Sequence, residues 1–202
     1  MKYRTCLTAM AVATGLVLAG CSGGNTDGSN ETAPTTTKET SEHNSADVEF
    51  AQQMIPHHEQ ALDMAKLART RAESAEVKEL AADIEAAQDP EIRTMTGWLE
   101  EWGEDLPSGT GGHMMEDGSM MEGDSMGEGM MSDQEMTGLE RARRASFDRM
   151  FLTMMIRHHE GAVVMAKQEQ RDGKYDDAIE LAKRIESAQT AEIKLMKDLL
   201  TR

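Results

Sequence analysis

One stretch of this chain occurs twice, 101 residues apart, and the duplication restricts its possible folds more than any other feature. Met54-Ile55-Pro56-His57-His58-Glu59 aligns with Met155-Ile156-Arg157-His158-His159-Glu160. Asp47 and Phe50 precede the first copy as Asp148 and Phe151 precede the second. Ala61, Met64 and Ala65 follow it as Ala162, Met165 and Ala166 do. The register holds without a gap. Leu80, Ile84, Gln88, Glu91, Ile92 and Met95 match Leu181, Ile185, Gln189, Glu192, Ile193 and Met196. Each copy is therefore one structural unit, and the two units must bury equivalent faces.

Each unit reads as a helical hairpin. Phe50, Met54, His57, Ala61, Met64 and Ala68 recur at spacings of four and three, which is one face of a helix. Ala51, Ile55, His58, Leu62 and Ala65 form a neighbouring stripe that widens it. A second helix is predicted from about Ala75 to Trp102, with Pro90 expected to bend it or mark an irregular turn. A third starts near Ser132, where Ser132-x-x-Glu135 is a capping box, and runs on to Gln170. Asp172-Gly173 ends it, with the glycine expected to supply a permissive turn. A fourth runs from about Asp176 to Leu200. Apolar positions held mostly by Ala, Leu, Ile and Met, with 3% aromatic residues, favour helices over strands. One hairpin cannot bury its own amphipathic faces. The expected architecture is thus an all-α four-helix bundle over residues 47–202, built from hairpins 47–102 and 132–202 with a long crossover, 103–131.

The N-terminus reads as an address. Lys2 and Arg4 precede an apolar run from Leu7 to Leu18, too short for a stable membrane span. Leu18-Ala19-Gly20-Cys21 resembles a bacterial lipobox, which implies a signal peptide over 1–20, cleavage before Cys21 and lipidation of its sulfur. The alternative is an ordinary signal with a chance cysteine. With Cys6 removed and Cys21 acylated, no thiol would remain for metal or redox chemistry. Residues 21–46 lack apolar periodicity and read as a flexible tether, in which His43 is expected to be solvated. The expected location is extracytoplasmic, anchored to the lipid membrane. A formal net charge of −16 excludes an electrostatic footprint for nucleic acid and favours cations.

The repeated motif carries the chemistry. Met54 lies three and four residues before His57 and His58, and Met155 stands likewise before His158 and His159, so each set shares a helix face. Met64 and Met165 lie two turns further along the same stripes. A buried histidine or a methionine stripe can be ordinary core. Duplication adds weight to another reading, because it would bring up to four imidazoles together inside one bundle. Their unpaired nitrogens would each cost roughly 1–3 kcal/mol, and a metal ion would satisfy several at once. The pattern is Met-x-x-His rather than the Glu-x-x-His of di-iron bundles, and thioether with imidazole suits Cu(I) or Ag(I).

The crossover is methionine-rich. His113, Met114, Met115, Met120, Met121, Met126, Met130 and Met131 are interspersed with Gly, Ser and acids, with no Lys or Arg. No helical or strand period explains these methionines. They are candidate soft ligands for Cu(I), or else sacrificial oxidation sites in a low-complexity linker.

The paired Asp-…-Phe-…-Met-Ile-x-His-His-x-x-Ala-…-Met-Ala pattern resembles the domain of unknown function 305 family from Asp47 to the end. The resemblance implies a ferritin-like four-helix bundle and, for some members, secreted copper binding. It carries over to Met54, His57, His58 and Met64, and to Met155, His158, His159 and Met165. The leading expectation is a non-catalytic lipoprotein that sequesters Cu(I). The competing expectations are a ferritin-like metal oxidase and a structural or interaction lipoprotein of the envelope.

Overall fold

The computed structural model describes residues 42–107 and 127–201. The signal segment, Cys21, the tether up to residue 41, and His113, Met114, Met115, Met120, Met121 and Met126 lie outside the described residues. Five helices and no strands occur among those described: α1 Ser45–Arg71, α2 Ala75–Trp102, α3 Asp133–Arg141, α4 Ala145–Asp172 and α5 Asp176–Leu200. None is long and apolar enough to cross a membrane.

The sequence-level boundaries of α2 and α5 match the structure. Helix α1 begins at a capping box formed by Asn44 and Asp47, and α2 is capped by Ser74. Pro56 and Pro90 sit inside continuous helices, so Pro90 does not interrupt α2. The expected third helix is divided in two. Its capping box forms, with Ser132 and Glu135 bonding reciprocally, but α3 stops after nine residues. Arg144 then adopts φ 55°, a conformation that disfavours any residue with a Cβ. It is held there by donating its N–H to the Arg71 carbonyl at 2.8 Å. The break lets α4 start almost in register with α1, so the long helices obey the repeat and α3 is an addition to it.

Gly173 also departs from expectation. Its φ is −69°, so no left-handed turn requires glycine there. The reason is space: a Cβ would lie 2.3 Å from Glu169 Oε1 and 2.7 Å from the Glu169 carbonyl.

Within each hairpin α1 packs on α2 and α4 on α5, and the two hairpins join through α1 and α4. These two run antiparallel, pinned at both ends by the repeated aspartates. Asp47 Oδ1 accepts from the Lys174 and Tyr175 backbone N–H groups at 3.0 and 2.9 Å. Asp148 accepts from Glu73 and Ser74 at 3.0 and 2.8 Å. Residues 73 and 74 are the repeat equivalents of 174 and 175. Each aspartate thus clamps the loop of the other hairpin, and the molecule has an internal two-fold axis. Two apolar clusters lie on either side of it. One contains Met64 and Met155 with Phe147 and Phe151, the other Met54 and Met165 with Phe50 and Trp98.

Candidate metal centre

The His-His motifs lie midway along α1 and α4, where the antiparallel helices bring equivalent turns together. All four imidazoles are buried, His57 being 1% exposed. His57 and His158 meet across the two-fold axis with ring centroids 3.7 Å apart and planes inclined at 36°. Met54 and Met165 lie in the apolar cluster on one side, Met64 and Met155 in that on the other. All four thioethers are buried.

The second histidine of each motif has a different environment. His58 Nε2 lies 2.8 Å from Glu91 Oε2, and His159 Nε2 lies 2.7 Å from Glu192 Oε2. Glu91 and Glu192 are themselves repeat equivalents, on α2 and α5. An ionised carboxylate only accepts, so in the neutral ring the proton sits on Nε2 and the Nδ1 lone pair is left inward. Carboxylates orient metal-ligating histidines in this way. Sequence inspection aligned Glu91 with Glu192 but gave no sign of this role. Their spacing of 33 residues from the histidines becomes contact only when the hairpin closes. Of the other acids near the motif, Glu160 pairs with Lys197 at 2.9 Å, and Glu59 is pushed up by burial and by the neighbouring Asp63.

Six buried ring nitrogens make no hydrogen bond of normal geometry: both of His57, both of His158, and Nδ1 of His58 and His159. Burial, reinforced by the other imidazoles, holds His57 down to about 3 and His158 well below the ordinary histidine range. The Glu128 backbone beside His57 opposes this only in part. The rings of His57 and His158 are therefore neutral at physiological pH, as ligands must be. Among the described residues, no group of three or more His, Cys, Asp or Glu side chains is arranged to hold a metal. The four imidazoles, themselves among those residues, form no such group on their own. The buried thioethers of Met54, Met64, Met155 and Met165 lie in the apolar clusters, and imidazole nitrogen with thioether sulfur is a donor set that suits a soft cation.

Two of the crossover's candidate ligands, Met130 and Met131, are among the described residues. Met130 is half-buried. Met131 is buried and its sulfur accepts from Arg157 Nη2 at 2.9 Å. His43 is not free in solvent as expected: it stacks on Trp102 at 4.4 Å, away from the motif.

Solved structures of other proteins share this fold. A Streptomyces coelicolor protein described as a candidate secreted DUF305 protein is 34% identical, with TM-score 0.67 over 78% of this chain and 93% of its own. A DUF305 fragment from Deinococcus radiodurans is 31% identical, with TM-score 0.67 over 79% and 97%. CopM in its Cu(II)-bound form is 35% identical, with TM-score 0.64 over 77% and 95%, and Cu(I)- and Ag-bound forms of CopM also match. No functionally curated protein matches the chain. Residues 47–200 match the model of the domain of unknown function 305 (DUF305), and the chain belongs to that family.

Proposed function

We propose that this protein binds Cu(I), and its analogue Ag(I), at the junction of α1 and α4, and that it sequesters copper outside the cytoplasm as a non-catalytic lipoprotein anchored through Cys21. The observation that carries the reading is the close, mutually tilted pair of imidazoles of His57 and His158, whose nitrogens make no hydrogen bond of normal geometry, with four buried thioethers in the apolar clusters on either side. An apolar core gains nothing from such a pair. Each unpaired polar group costs roughly 1–3 kcal/mol, and a bound soft ion would offset that cost. In this reading Met54, Met64, Met155 and Met165 supply sulfur, and His58 and His159, oriented by Glu91 and Glu192, present Nδ1 from either side. The similarity to CopM, whose structures include Cu(I)-, Cu(II)- and Ag-bound forms, supports the choice of metal. The candidate secreted DUF305 relative supports the location.

The test is thermal unfolding of the mature chain with and without Cu(I) under reducing conditions. At a free concentration 100 times Kd, one site adds about 2.7 kcal/mol, a rise in Tm of roughly 5–10 °C. Replacing His57 and His158 by Ala should abolish the rise, and an unchanged Tm for the parent chain in excess Cu(I) would remove the reading. The oxidase alternative would gain support only if Fe(II) or Cu(I) drove catalytic oxygen uptake.

A further inference from the structure

The two-fold symmetry of the hairpins is broken where the crossover returns to the bundle. Four residues that differ between the copies, Pro56 against Arg157 and Gln60 against Gly161, surround that return. Gly129, at φ 84°, lays the strand directly on α4. A Cβ on Gly129 would lie 2.7 Å from the Arg157 carbonyl, and one on Gly161 would lie 1.9 Å from the Glu128 carbonyl. Only a pair of glycines permits this approach. From the other side Gln60 grips the Met131 backbone twice, donating to its carbonyl at 2.9 Å and accepting from its N–H at 2.7 Å. The strand is thus fixed between α1 and α4 beside the imidazole pair.

Its placement creates an open cleft of about 540 Å³. His57, Met130, Met131, Met136 and Met165 line it. The cleft reaches a histidine that is almost wholly buried and whose ring nitrogens make no hydrogen bond of normal geometry. Met131 packs in the core with its sulfur held by Arg157. Met130 and Met136 are only half-buried, one on the return strand and one on α3. Met136 also packs against the core, but its flexible, polarisable thioether and that of Met130 are partly open to the cleft. Asp63 and Asp133, also in the lining, favour cations at the mouth.

We propose that this cleft is an outer soft-cation site, in which Met130, Met136 and Met165 converge with His57, and that it feeds the buried His57–His158 pair. The proposal rests on the reading of that pair as a Cu(I) site and adds to it a role for α3 and for the end of the crossover. It accounts for this departure from two-fold symmetry as a device that gives the buried pair an entrance on the α1 side.

The test uses the mature chain with Met114, Met115, Met120, Met121 and Met126 replaced by Ser, so that other crossover thioethers do not compete. Cu(I) affinity is measured against a chromophoric Cu(I) chelator, and sulfur ligation by X-ray absorption. Met130→Leu with Met136→Leu conserves volume, so the apo Tm should hold. Affinity should fall at least tenfold, with a loss of sulfur scattering. Gly161→Ala should weaken binding similarly with every donor still present, because the added methyl displaces the return strand. Unchanged affinity and unchanged sulfur scattering in the Met130/Met136 variant, with the parent binding normally, would overturn the outer site and leave the buried pair standing. No Cu(I) binding by the parent would overturn both.

Discussion

His57 and His158 lower the stability of the apo protein as the solution becomes acidic. Unfolded, each ring takes up a proton below about 6.5; folded, His57 does so only near 3 and His158 is also held far down, by burial and by the other rings. Between those limits the unfolded state binds more protons, so stability falls as pH drops, by about 1.4 kcal/mol per pH unit for one ring. Glu169 acts in the opposite sense. Burial, then the adjacent Asp47 and Asp172 carboxylates, push it up to about 8. It stays protonated in the fold while the unfolded chain ionises above about 4.5, so its contribution is lost as pH rises towards 8. Metal-free stability should therefore be greatest near pH 6.5. Urea denaturation in chelator at about pH 5, 6.5 and 8 checks this. Glu169→Gln should flatten the alkaline limb, and His57→Leu with His158→Leu the acid limb; a parent curve flat across the range would contradict both assignments. At this scale the Met-x-x-His spacing made the inward histidines legible. The different roles of His57 and His58 were not, because they depend on Glu91 arriving from another helix.

At the level of elements, Asp47 and Asp148 determine how the hairpins meet. They occupy the same repeat position and each accepts two backbone N–H groups from the opposite loop. Their burdens differ. Asp47 is fully buried, also accepts from Asn44 N–H and lies beside Glu169, whereas Asp148 is half-buried. Burial pushes Asp47 up, but the bonds from Tyr175, Asn44, Glu169 and Lys174 outweigh it, and the net shift is down. Asp47→Ala should destabilise by roughly 2–4 kcal/mol and Asp148→Ala by roughly 1–2 kcal/mol, read from urea midpoints. Equal losses would show that burial of the first adds nothing. Helix existence and most ends were readable from apolar spacing and capping residues. The division of the third helix was not, since Arg144 leaves the helix to bond a carbonyl of α1, a partner 73 residues away.

The whole molecule is a pair of hairpins joined through one antiparallel helix contact about a two-fold axis. Such a contact is self-complementary, since residue i of one copy meets the equivalent of j in the other. A separate polypeptide of residues 42–107 should therefore dimerise through α1 and place two copies of His57 together. Sedimentation equilibrium should give twice the hairpin mass, with helical signal rising with concentration. A folded monomer would show that each hairpin buries its own core and that the junction is incidental to stability.

Helix content, the duplicated unit and the inward placement of the Met-x-x-His-His motifs follow from the sequence alone, because spacing of three and four along one chain decides which side chains share a face. The meeting of His57 with His158, the grip of Glu91 on His58 and the seat of Gly129 on Gly161 were decided only in the folded molecule. Each is a contact between segments far apart in the chain, and no local periodicity records which distant backbone will come within reach.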